Sequence, residues 1–162
     1  MPAESASLLV SDPGGVYVDG TLGYGGHSQE ILKILGPGGK LIGIDCDPAA
    51  ITSSRALITD PRFTPVPGFY QETGRLVSDL GIERINGLLL DLGVSSPQLD
   101  VPERGFSFRF NAPLDMRMSP DSGLTAADIV NNWSRDRIFA VLRNFGEEPK
   151  AGRIADRIVR QR

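Results

Sequence analysis

Three acids in this chain each follow an apolar run. Asp19 closes Val16-Tyr17-Val18, Asp45 closes Leu41-Ile42-Gly43-Ile44, and Asp91 closes Leu88-Leu89-Leu90. After the first acid come Gly20, Gly23, Gly25 and Gly26, four glycines in seven residues, and then His27. Glycine lets a backbone approach a ligand closely, and a helix that starts just beyond it offers unpaired N–H groups. An acid at the end of the next strand is placed to accept hydrogen bonds from ribose hydroxyls. These spacings suit the binding of a nucleotide-type cofactor.

The glycines do not form a dinucleotide fingerprint. From Gly23 the pattern G-x-G-x-x-G ends on Ser28 instead of glycine. Asp19 beside the loop would also repel a pyrophosphate. A cofactor with a cationic group and no phosphate fits better, and S-adenosylmethionine (SAM) is one. The plainer alternative is a tight strand-to-helix turn. Asp45 is either a ribose acceptor or a cap for the helix beginning near Pro48, for which Asp47 is the better candidate. Phe69 and Tyr70 offer an aromatic ring for stacking on adenine or for core packing. His27 either bonds a ligand or caps its helix.

Asp91-Leu92-Gly93-Val94-Ser95-Ser96-Pro97-Gln98 leaves the fourth apolar run. Methyl transfer to an exocyclic amine needs acceptors that hold the amine N–H groups and aim the nitrogen lone pair, so positioning carries most of the rate. Asp91 and the carbonyls of Ser95, Ser96 and Pro97 are candidate acceptors; the alternative is a loop stiffened by its proline. Further on, Arg104, Arg109 and Arg117 are interleaved with Phe106, Phe108 and Phe110. Arginine on phosphate with aromatics on bases is an RNA-binding combination. The same phenylalanines would equally fill a hydrophobic seam against helices.

The elements that must position these residues alternate in type. Strands are expected at 16–19, 40–45, 63–66 and 87–91, with Pro65 setting the third toward an edge. Helices are expected from Ser28, from Pro48 and over 72–80. Strands apolar on both faces, alternating with helices, predict an α/β fold with a doubly wound, mainly parallel sheet. The fourth strand should neighbour the first, with the ligand crevice beside it. Residues 92–123 read as a long functional loop. One helix is expected over 124–145 and another from about Lys150, which meets Arg162 without a stop signal.

Composition bounds the rest. The chain has 162 residues, one histidine and one cysteine, Cys46. That speaks against a disulfide, a cysteine-rich site or a histidine-rich metal centre, so no metal is expected, and a cytoplasmic protein fits. No apolar run is long enough to span a membrane. Residues 1–100 carry a net charge of −6 and residues 101–162 a net +3. A basic second part suits an anionic polymer, or is merely a solvated helical surface.

Several segments together resemble the bacterial MraW (RsmH) family. They are 17–28, 89–100, Arg104-Gly105-Phe106-Ser107-Phe108 and Pro113-Leu114-Asp115-Met116-Arg117-Met118. The resemblance runs from about residue 14 to the end. It implies a SAM-dependent methyltransferase acting on N4 of a cytidine in the decoding region of small-subunit ribosomal RNA. It implies a cofactor site at Gly25, Gly26, His27, Asp45, Tyr70, Asp91 and Gln98. It also implies a class I methyltransferase fold, Rossmann-like, over 1–115, with the start of an inserted helical RNA-binding domain over 116–162. Members run about twice as long, so a chain truncated after the fourth strand is expected. The rival readings are a SAM-binding module inert by itself and a nicotinamide-dependent oxidoreductase of similar topology, against which the broken fingerprint speaks.

Overall fold

The computed structural model describes residues 2–121 and 123–162. They fall into two compact units divided after Gly93. The expected domain boundary at 115/116 therefore lies inside the second unit.

The first unit runs α1 (Pro2–Leu9), β1 (Val16–Asp19), α2 (Gly26–Ile34), β2 (Lys40–Asp45), α3 (Pro48–Leu57), β3 (Phe63–Pro67), a 3-10 turn (Tyr70–Glu72), α4 (Thr73–Asp79) and β4 (Gly87–Leu89). All four strands are parallel, in the order β3-β2-β1-β4. Tyr17 pairs with Leu41 on one side and with Gly87 on the other. Pro65 does lie on an edge strand, where a missing N–H is tolerated.

Period-two alternation sends successive side chains of β1 and β2 to opposite faces. Tyr17 and Leu41 join Ile31, Leu32 and Ile51, from α2 and α3, in one core. Val18, Ile42 and Ile44 join Leu76 and Val77, from α4, in the other. The helices change face as the chain returns from β3 to β4. The topological switch point therefore lies between β1 and β4, where a doubly wound sheet holds its ligand. A fully buried aliphatic side chain such as Val18 contributes roughly 1.5–3 kcal/mol. The Tyr17 hydroxyl donates to the Asp12 carbonyl (3.0 Å) and accepts from the Asp12 N–H (2.9 Å), closing the turn into β1.

β4 stops at Leu89, two residues short of the expected end at Asp91. The Gly20 N–H donates to the Leu89 carbonyl (2.9 Å). Beyond it β1 has become the glycine loop, so no neighbouring ladder remains. Leu88 and Leu90 stay about 40% exposed, so β4 is not apolar-covered on both faces.

The second unit contains α5 (Ser96–Asp100), a 3-10 turn (Pro102–Arg104), α6 (Ala126–Asn132), α7 (Arg135–Asn144) and α8 (Ala151–Gln161). The single helix expected over 124–145 is two helices. Trp133 is extended, and the Ser134 hydroxyl accepts from the Arg137 N–H (3.3 Å) to cap α7. An N-cap serine supplies the local acceptor that makes the break stable. The loop expected over 92–123 holds one short helix and one 3-10 turn.

Candidate functional site

The site is built on the carboxyl ends of β1, β2 and β4. Asp19 is wholly buried there. Its Oδ2 accepts from the Ser28 hydroxyl (2.8 Å) and its Oδ1 from the Thr21 N–H (3.3 Å). Burial pushes its carboxyl above the ordinary carboxylate range, against the opposing pull of the Ser28 and Thr21 hydrogen bonds. Asp19 thus ties the strand to the helix from beneath the loop.

Above it the loop is pinned to β2. The Leu22 N–H donates to the Ile44 carbonyl (3.0 Å) and the Gly23 N–H to Asp45 Oδ2 (2.8 Å). Asp45 Oδ1 accepts from the Asp47 N–H (2.9 Å). Each carboxylate oxygen keeps a lone pair, so Asp45 can still accept from a ligand hydroxyl. The capping role falls to Asp47, whose Oδ1 accepts from the Ala49 N–H (2.9 Å) at the start of α3.

Gly25 is the N-cap of α2, with φ +81° and no side-chain cap. A Cβ on Gly25 would lie 2.7 Å from Ile58 Cδ1. The first-turn N–H groups of α2, at Gly26 and His27, are left without a capping side chain. Such a helix start favours an electron-rich ligand atom. The stretch 16–31 contains no lysine or arginine.

Two further groups close around the loop. Tyr70 opens the 3-10 turn after β3 and is 36% exposed. A Cβ on Gly20 would fall 3.3 Å from Tyr70 Cβ, and 2.7 Å from Leu90 Cδ2. Asp91 is held by its backbone, its N–H donating to Thr21 Oγ1 (2.7 Å). Its carboxylate is 70% exposed and lies 3.8 Å from His27 Nδ1. That is too long for a hydrogen bond but close enough for attraction.

The structure therefore brings Gly25, Gly26, His27, Asp45, Tyr70 and Asp91 to one end of one sheet. The residue reading missed the buried Asp19–Ser28 pair and Thr21. Thr21 and Ser28 are hydroxyl-bearing residues bracketing a run of glycines, and that was the available signal.

The other candidates belong to the second unit. Gln98 Oε1 accepts from the Ser95 N–H (2.9 Å), and its Nε2 reaches Met118 Sδ at 3.9 Å. Ser95 is the N-cap of α5, and Ser96 and Pro97 form its first turn. Arg104 donates through Nη2 to the carbonyls of Arg117 (2.9 Å) and Met118 (2.8 Å), and lies over the Phe106 ring at 5.9 Å. Arg117 forms a forked pair with Asp115, 2.7 Å from Nη2 to Oδ2 and 2.9 Å from Nε to Oδ1. Those bonds hold the Asp115 carboxyl down at about 2. Arg109 has no side-chain partner among the described residues. Phe106 is half-buried, Phe110 is exposed, and Phe108 is fully exposed, so Phe108 fills no seam.

Fold and constellation define a doubly wound α/β protein with its polar groups gathered at the switch point. The chain belongs to the MraW methylase family, whose model matches residues 1–162. Three similar curated proteins carry the name ribosomal RNA small subunit methyltransferase H. That of Geobacter sulfurreducens is 50% identical over all of this chain and 53% of its own length. Those of Leptothrix cholodnii and Methylibium petroleiphilum are 48% and 51% identical over 98% of this chain, and 50% and 51% of their own lengths. The chain spans about half the length of the curated relatives it matches.

Proposed function

We propose that this chain holds the methyl donor, SAM, and the acceptor crevice of an enzyme that methylates N4 of a cytidine in small-subunit ribosomal RNA. One observation carries the reading. The Asp45 carboxylate is fixed on the Gly23 N–H, beside an uncapped helix start, at the carboxyl end of β2 next to β1. The relatives' shared name supplies the substrate class.

The residues fit the donor. Asp19, Asp45 and Asp91 bring acids to the loop, and no lysine or arginine lies within 16–31. That balance suits a cationic nucleoside and opposes a pyrophosphate. SAM would supply a methyl group on positively charged sulfur. The N–H groups of Gly26 and His27 would be the donors toward it, with Gly25, whose own N–H is held by the Leu22 carbonyl (2.8 Å), shaping the loop around it. Asp45 would be the acceptor for its ribose hydroxyls, and Tyr70 the ring for its base. Gln98 is assigned to the same site by family likeness.

On the acceptor side, Asp91 and the carbonyls of Ser95, Ser96 and Pro97 would hold the amine N–H groups of a cytidine turned out of its stack. Dense negative charge at the sulfur would oppose loss of its positive charge. Asp91, far more exposed than Asp19, suits a positioning role. Of the three loop arginines, Arg109 is the one open to RNA phosphates, Arg104 and Arg117 being engaged within the loop, with Phe108 free to stack on a base. An rRNA substrate would fit a cytoplasmic enzyme. No helix among the described residues is long and apolar enough to cross a membrane.

A second reading rests on the half-length match: a donor-binding portion without turnover. Titration calorimetry with SAM, run beside a methylation assay on small subunits lacking the mark, separates the two. Saturable binding with methyl transfer supports the first reading and binding alone the second. Failure to bind SAM, or displacement of SAM by NADH at micromolar concentration, overturns both.

A further inference from the structure

Two of the three arginines that the sequence assigns to RNA are occupied inside the second unit, Arg104 on two carbonyls and Arg117 on Asp115. Besides Arg109, a group of cations without acidic partners among the described residues lies on α8. Residues 150–162 carry five cations and one acid. The helix buries Ala151 and Ala155 on one face. At 100° per residue, Arg153, Arg157 and Arg160 share the opposite face, and all three are exposed. Arg153 and Arg157 have no side-chain partner among the described residues. Arg160 uses only Nε, on the Asp156 carbonyl (3.2 Å). The neighbouring acid, Asp156, is hydrogen-bonded to Arg135 (2.9 Å) and attracts Arg160 only through space, so the stripe of three cations faces a single, already paired acid.

Helix stability accounts for Arg160, in the last turn, but not for Arg153 and Arg157. Like charges four residues apart repel, as Arg153 and Arg157 do. Arg153 also sits in the first turn, where the helix dipole opposes a cation. Arg162, by contrast, is fixed on the Trp133 (2.7 Å) and Val130 (3.3 Å) carbonyls at the helix end, where a cation stabilises.

We propose that the Arg153–Arg157–Arg160 face of α8 is a contact surface for the phosphate backbone of RNA. The inference rests on the RNA substrate proposed above and adds a surface to it. It needs charge rather than guanidinium shape, because backbone contacts position without reading bases.

The test uses the whole 162-residue chain and a fluorescein-labelled, 20-nucleotide single-stranded RNA, titrated by anisotropy across a salt series. Each phosphate contact on a single strand adds about 0.7 to the slope of log K against log salt. The triple change Arg153→Gln, Arg157→Gln and Arg160→Gln should flatten the slope by about 2. The triple lysine variant should keep it, with both melting curves matching the parent. Should the glutamine triple not fold, Arg157→Gln alone should flatten the slope by about 0.7. An unchanged slope in a folded glutamine variant overturns this inference and leaves the RNA reading standing. A parent chain that binds no RNA overturns both.

Discussion

The glycine loop of the first unit and the arginine loop of the second solve one problem in two ways. Each must hold an irregular backbone still without a ladder of its own. The first does so from beneath, with a buried Asp19 on Ser28 and a half-buried Asp45 on the Gly23 N–H. The second does so at the surface, with Arg104 on two carbonyls and Arg117 forked onto Asp115. Both also use glycine at positive φ, Gly25 at +81° and Gly105 at +72°. What differs is what stands next to that glycine. Beside Gly25 it is the tip of a flexible isoleucine; beside Gly105 it is backbone, the Pro113 carbonyl oxygen and the Asp115 nitrogen, both 2.6 Å from a Cβ. A loop packed against a side chain can yield, whereas one folded on its own backbone cannot.

The sharpest way to break the contrast is Gly105→Ala. Left-handed strain and collision with backbone together should cost on the order of 3 kcal/mol. Urea unfolding followed at Trp133 measures it, and a loss no larger than that of Gly25→Ala would end the distinction. Next comes Asp45→Ala, which removes a charged acceptor and should weaken SAM binding by roughly 1–3 kcal/mol. Calorimetry showing unchanged affinity would remove Asp45 from the site. Gly25→Ala should cost about 1–2 kcal/mol of stability, because Ile58 can move aside but the left-handed strain remains.

Two smaller effects concern pH. Burial raises the Asp19 carboxyl, so its contribution is present below the ordinary carboxylate value and is lost as pH rises through the raised one. Asp19→Asn should therefore gain on the parent in unfolding free energy as pH rises above the ordinary carboxylate value. A gap that narrows over that rise would contradict a buried, proton-favouring Asp19. Asp115 behaves oppositely. Its carboxyl is held at about 2, so its contribution is present at neutral pH and lost only as pH falls from about 4 toward 2. Asp115→Asn should lessen that acid-side loss, and equal acid sensitivity in the two proteins would deny the pair any role.

The sheet was legible because apolar runs ending in acids, separated by helical spacing, leave few alternatives to a parallel layer. β1 and β2 match their expected limits. β4 is shorter because pairing depends on where its neighbour ends. The helix break at Trp133–Ser134 was hidden behind continuous apolar spacing across 124–145, which a single serine cap interrupts.

The sequence alone determined which residue types gather near the cofactor loop: local patterning sets where β1 and β2 stop, and a parallel sheet brings those ends to one side. Only the tertiary structure decided how each charge is used. Asp19, Asp45 and Asp91 look alike along the chain, yet one is buried under a hydroxyl, one is fixed on backbone amides and one stands in solvent. Arg117 and Arg157 look alike too, yet one is paired and the other is open. Burial and pairing depend on neighbours distant in sequence, and a carboxylate or guanidinium takes its properties from those neighbours.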